Sequence, residues 1–189
     1  KYYSDNRPRR FIIGINPGRF GAGLTGVPFT DPKRLKEKCG ITSYDGPPAH
    51  EPSSQFIYEM IDAYGGPEKF YAEFYINSIC PLGFTTQSAK GREVNCNYYD
   101  RKDLYEAMRP FMVDCMKKQL GFGLKSAVCF CLGTGKNMEC VSRLNGEHGF
   151  FDRVAPLEHP RYGSQDKTGK MQEYVDKYLE QLRAAAEAC

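Results

Sequence analysis

No apolar run in this sequence approaches the roughly 20 residues that a membrane-spanning helix needs. The longest candidates, Phe11-Ile12-Ile13-Gly14-Ile15 and Ala127-Val128-Cys129-Phe130-Cys131-Leu132, are strand-sized. There is no C-x-x-C pair, no N-x-[ST] acceptor, and no signal-peptide pattern in the opening Lys1-Tyr2-Tyr3-Ser4-Asp5. Internal repeats and low-complexity segments are also missing. With a mean hydropathy of −0.56, the expectation is a soluble protein in a reducing, intracellular compartment.

What is present is an ordinary globular mixture: 189 residues, of which 41% are hydrophobic, 26% charged and 13% aromatic. That size supports one compact domain over residues 1–189 and argues against a disordered or fibrous chain. The eight cysteines are too sparse for a disulfide scaffold, and several lie in apolar runs, where a thiol packs as a small hydrophobe. The net charge of +3 is uneven: residues 1–50 carry nine Lys/Arg against four Asp/Glu. A basic quarter of this kind suits phosphate or a solvated edge equally well.

Residues Phe11 to Asn16 read as a buried strand entering a Pro/Gly loop. Ser53 or Ser54 caps a helix whose stripe is Phe56, Ile57, Met60, Ile61 and Tyr64, stopped by Gly65-Gly66-Pro67. A short helical piece precedes a strand from Phe74 to Ile79, and residues 83 to 99 read as a polar loop around Lys90, Gly91 and Arg92. Asp100 is placed to cap the longest helix, which Pro110 should kink or split. A buried strand from Ala127 to Leu132, a helix near 135–145, a short strand from Val154 to Leu157 and a terminal helix at 168–184 complete the chain. The fold class is therefore α/β: a three-layer αβα sandwich around a central, mainly parallel four-stranded sheet. Such sheets bind ligands beyond the carboxyl ends of their strands, which singles out residues 16–20, 77–81, 133–136 and 159–161.

Two familiar motifs fail on inspection. Gly133-Thr134-Gly135-Lys136-Asn137 lacks both the leading glycine of a phosphate loop and the hydroxyl after the lysine that would hold magnesium. Gly14-x-Asn16-x-Gly18-x-x-Gly21 lacks the middle glycine of a dinucleotide fingerprint, and Pro17 removes a donor. Cys129 and Cys131 share one face of a strand, where packing accounts for them better than a metal does.

What remains is Gly14-Ile15-Asn16-Pro17-Gly18-Arg19-Phe20-Gly21, then Thr25-Gly26-Val27-Pro28-Phe29, Asn77-Ser78-Ile79-Cys80-Pro81-Leu82, and His159-Pro160. In order and spacing these resemble the uracil-DNA glycosylase superfamily, and most closely its single-strand-selective monofunctional branch, possibly in a divergent bacterial form. The resemblance implies a monofunctional glycosylase that hydrolyses the N-glycosidic bond of uracil and of 5-substituted uracils such as 5-hydroxymethyluracil. The product is an abasic site for base excision repair, and the location cytoplasm or nucleoid in a bacterium, nucleus in a eukaryote. It implies DNA, single- or double-stranded, as partner, a monomer, no membrane, no cofactor and no metal.

By the same resemblance Asn16 positions the attacking water, and His159 donates to the pyrimidine carbonyl as charge develops. Ile15 and Gly18 border the base, Phe29 stacks on it, and Asn77 reads its edge. Gly18 stands where the main uracil-DNA glycosylase family has a tyrosine shielding C5, so it is expected to leave room for a substituent. Two residues of the family's final motif are missing after Pro160, so the wedge that fills the gap in DNA falls to Arg161, Tyr162 or the 83–99 segment, with Lys90 and Arg92 gripping phosphate. The competing readings are a noncatalytic nucleic-acid or base-binding module on the same fold and a nucleotide-binding enzyme using the glycine-rich loops.

Overall fold

The computed structural model describes residues 1–165 and 170–187. Four strands, β1 (Arg10–Gly14), β2 (Phe74–Ser78), β5 (Val128–Leu132) and β6 (Arg153–Leu157), form one parallel sheet in the order β2-β1-β5-β6. β1 and β5 are buried along their whole length, as strands covered on both faces must be. Successive side chains alternate between two cores: Ile12, Ile76, Phe130 and Leu132 enter one, Phe11, Ile13, Cys129 and Cys131 the other.

Between β1 and β2 run α1 (Ala22–Thr25), α2 (Pro32–Glu37), α3 (Pro52–Tyr64) and α4 (Pro67–Glu73). The stripe expected for α3 is buried in the first core, although the helix begins two or three residues earlier than a cap at Ser53 or Ser54 would place it. Pro52 occupies its first turn, where a missing N–H costs nothing, and Glu51 is the N-cap. α8 (Met171–Glu187) packs on the same face through Val175, Tyr178, Leu179 and Leu182. Of the terminal helix expected at 168–184, positions 168 and 169 lie outside the described residues.

The 83–99 segment is not a plain loop. It holds an antiparallel hairpin of β3 (Phe84–Gln87) and β4 (Glu93–Cys96). Both strands are mostly exposed, so neither shows the alternation by which a half-buried strand is read from sequence. α5 (Lys102–Leu120) runs unbroken through Pro110, and Arg101 rather than Asp100 is its N-cap. Asp100 instead accepts from the Asn97 N–H at 2.7 Å. α6 (Lys136–His148) follows β5, and a short α7 (Pro160–Gln165), not expected from sequence, follows β6.

The chain leaves β1 for β2 on one side, while β5 lies on the other. The carboxyl ends of β1 and β5 therefore flank a topological switch point, where crossovers diverge and leave a crevice.

Candidate active site

That crevice is a cavity of about 400 Å³, walled by the segments that follow β1, β5 and β6, by the start of α3 and by the end of β4. It brings together Ile15, Asn16, Gly18, Phe29, His159, Arg161 and Tyr162. Residues separated by more than 140 positions in sequence thus meet in one hollow because three parallel strands end at the same edge.

Asn16 is held at both ends of its amide. Its Nδ2 donates to the Cys96 carbonyl at 3.2 Å, and its Oδ1 accepts from the Tyr98 N–H at 3.1 Å. Backbone donors and acceptors cannot be exchanged, so the orientation of the amide is fixed. One Nδ2 hydrogen and one Oδ1 lone pair remain for a water. The last residue of β4 and the turn just after it hold this side chain.

His159 accepts from the Arg161 N–H through Nδ1 at 3.1 Å. An acceptor at Nδ1 places the proton of a neutral ring on Nε2. Burial holds the imidazolium down to a pKa of about 4, with the Arg161 charge adding to the effect. At neutral pH the ring is thus an uncharged donor through Nε2–H. α7 supplies the Arg161 N–H, and it also carries Tyr162 to the cavity rim at 61% exposure.

Phe29 has a φ of 52°, a left-handed conformation uncommon for a residue with a side chain. The turn is stapled by Thr25, whose Oγ1 donates to the Thr30 carbonyl at 2.7 Å. The ring lies against the end of β1, so close that a Cβ on Gly14 would come within 2.8 Å of it. Strain of this kind, at a cavity wall, marks a ring that the fold fixes in place.

Of the residues expected to contact the base, Asn77 does not reach the cavity. Asn77 is paired with Ile13 in the sheet and shares the face of Tyr75. Its Nδ2 donates to the Tyr75 hydroxyl at 2.8 Å and its Oδ1 accepts from the Ser78 N–H at 2.8 Å. The next residue, Ser78, pairs with Gly14 and follows Ile76 on the face where Phe29 packs. Lys90 and Arg92 are exposed around the tip of the hairpin, outside the lining.

The room expected beside Gly18 is not empty either. A Cβ there would lie 2.8 Å from the Glu51 Oε1 and 3.5 Å from the Asn95 Nδ2. Glu51, Asn95 and Asn137 all line the cavity and were missed from sequence. Asn137 accepts from the Tyr98 hydroxyl at 2.9 Å and donates to the Leu132 carbonyl at 2.9 Å, tying α6 to β5. Its place just beyond a strand end was the available signal. Glu51 sits in an irregular Pro-rich stretch that gives none. Burial, then the charge of Asp31, pushes the Glu51 carboxyl up to about 7. Among the described residues, no group of three or more His, Cys, Asp or Glu is placed to hold a metal ion.

Comparisons with known proteins place the fold in a family. The family model for the uracil DNA glycosylase superfamily matches residues 1–183. A solved structure described as the crystal structure of wild-type Pedobacter heparinus SMUG2 superposes with a TM-score of 0.91 at 53% sequence identity. The match covers 97% of this chain and 78% of that one.

Proposed function

The chain belongs to the uracil DNA glycosylase superfamily, to its SMUG-like part, and from that premise we propose how its residues divide the work of excising uracil and 5-substituted uracils from DNA. An enzyme that acts on a base must evert it into a tight pocket. Breaking the sugar–base bond then leaves cationic character on the deoxyribose and negative charge on the departing pyrimidine. Asn16 holds the water that attacks the sugar, using the hydrogen and lone pair its backbone partners leave over. His159 donates Nε2–H to the pyrimidine carbonyl as charge develops there. A neutral donor suits this step because it stabilises the leaving anion without first having to lose a proton. Phe29 stacks on the base, Ile15 borders it, and Gly18 faces its C5 edge. Arg161 and Tyr162, on the exposed rim, fill the gap left in the DNA. 5-Hydroxymethyluracil falls within the substrate range, the product is an abasic site, and the protein works as a monomer and a single domain.

The observation that carries this reading is the convergence of Asn16 and His159 on one cavity beside Phe29. Uracil-containing oligonucleotides, single- and double-stranded, cleaved with alkali after incubation, test it directly. Asn16→Ala and His159→Ala are each expected to slow single-turnover release by about 10²- to 10³-fold, the usual cost of removing a preorganised polar group. Wild-type rates in either variant would reject the assignment.

A further inference from the structure

Glu51 stands in the cavity wall with hydrogen-bonding capacity that nothing among the described residues uses. Its Oε2 is buried without a hydrogen-bond partner. Its Oε1 lies 2.8 Å from where a Cβ on Gly18 would sit, and its Oε2 comes within 2.1 Å of the same point on Gly21. The backbone is anchored independently: the Glu51 N–H donates to Asp31 Oδ2 at 3.1 Å, and that oxygen is pinned by Arg34 Nη1 at 2.9 Å. A fixed main chain therefore presents Glu51 Oε1 at the Gly18 wall of the pocket, with the unpartnered Oε2 turned toward Gly21.

We propose that Glu51 is a specificity-determining residue for the substituent at pyrimidine C5, accepting a hydrogen bond from the hydroxyl of 5-hydroxymethyluracil. This rests on the reading above, in which C5 faces Gly18. Uracil, thymine and 5-hydroxymethyluracil differ there only by a hydrogen, a methyl and a hydroxymethyl group. A methyl group displaces water from the carboxyl and returns no bond, which leaves a polar group buried and unpaired. A hydroxyl displaces the same water and donates a charge-assisted bond. A site built to bond a substrate hydroxyl rejects the analogue lacking it far more strongly than a shape filter rejects an extra methyl. Glu51 thus supplies by chemistry the exclusion of thymine that a bulky tyrosine supplies by size.

The test uses the full chain on oligonucleotides carrying a single uracil, 5-hydroxymethyluracil or thymine, under single turnover with alkaline cleavage. The quantity read is the rate ratio between bases, in which any general loss cancels. Glu51→Ala is expected to lower the ratio of 5-hydroxymethyluracil to uracil by about 10- to 100-fold, the range for a lost bond to a charged group. The same variant narrows the gap between 5-hydroxymethyluracil and thymine. Glu51→Gln, which keeps the volume and removes the charge, shifts the ratio the same way by less, and decides the matter where the alanine variant does not fold by circular dichroism. An unchanged ratio, or an equal loss on all three bases, overturns the assignment. Wild-type protein that releases uracil but not 5-hydroxymethyluracil overturns the C5 reading itself, whereas wild type active on both with unmoved variant ratios overturns only the role of Glu51.

Discussion

Asn77 and Ser78 differ by one position in a strand whose side chains alternate faces, so a shift of one residue in reading the motif moves the amide to the opposite core. The motif as a string names Asn77, yet the register turns it toward Tyr75, whose hydroxyl it bonds and which in turn donates to Gln119 Oε1 at 3.2 Å. Asn77→Ala is therefore expected to cost about 1–2 kcal/mol of stability through the stranded Ser78 N–H and the bond the Tyr75 hydroxyl no longer accepts, with uracil release within about threefold of wild type. A hundredfold loss of excision at unchanged melting temperature would return Asn77 to the base. His159 and Glu51, both half-buried in the cavity wall, give opposite pH signatures. His159 has a folded pKa of about 4, below the ~6.5 of an unfolded chain. The unfolded state binds the extra proton between those values, so this group removes stability as pH falls from about 6.5 to 4. Glu51, raised to about 7, stabilises the fold fully below its unfolded value near 4.3 and loses that contribution as pH rises through 7. Melting curves from pH 4 to 8 should show the acid-side slope reduced in His159→Asn and the slope near neutrality reduced in Glu51→Gln.

Helix α7 is the element on which the site's last motif depends, and its seat is a glycine. A Cβ on Gly163 would lie 2.4 Å from the Phe56 ring of α3. No L-residue fits that approach unless α7 or the ring moves. Gly163→Ala is expected to cost about 1–3 kcal/mol by overpacking. Because α7 carries the N–H that sets the His159 tautomer, it should also slow excision, measured as single-turnover release alongside urea denaturation. A variant that loses stability but keeps the wild-type rate would show that His159 is positioned without α7. Pro110 gives the opposite sign: it sits exposed within α5, where it forfeits a backbone hydrogen bond. Pro110→Ala should raise stability by up to about 3 kcal/mol in the same denaturation experiment. These elements also mark what the sequence disclosed. The stripe of α3 and the apolar run of β5 were readable because burial leaves a period. The hairpin β3–β4 was not, since its exposed strands carry no alternation and it exists in order to grip Asn16 and the Arg19 N–H, which donates to Asn95 Oδ1 at 3.1 Å. Glu51 was invisible for a related reason: only the tertiary fold brings an irregular stretch against Gly18.

Across the whole molecule, two hydrophobic cores share one sheet, and every residue of β5 serves them in turn: Val128, Phe130 and Leu132 on one side, Cys129 and Cys131 on the other. Losing either core would bare the back of the strands that support the other, so the two layers should not melt separately. The tyrosines report each side, with Tyr58, Tyr64 and Tyr71 in the first core and Tyr98 and Tyr105 in the second. Thirteen tyrosines and no tryptophan make near-ultraviolet circular dichroism a probe of both layers together, and far-ultraviolet dichroism follows the helices. Urea transitions by the two probes are expected to coincide in midpoint and slope, as they do for one cooperative unit. Phe130→Ala in the first core should cost about 3–5 kcal/mol, and Met112→Ala in the second about 2–5 kcal/mol. Each should move both probes by the same amount. A variant that shifts one probe and leaves the other in place would divide the chain into two units, and the cavity at the strand ends would then have to be explained as a seam between them.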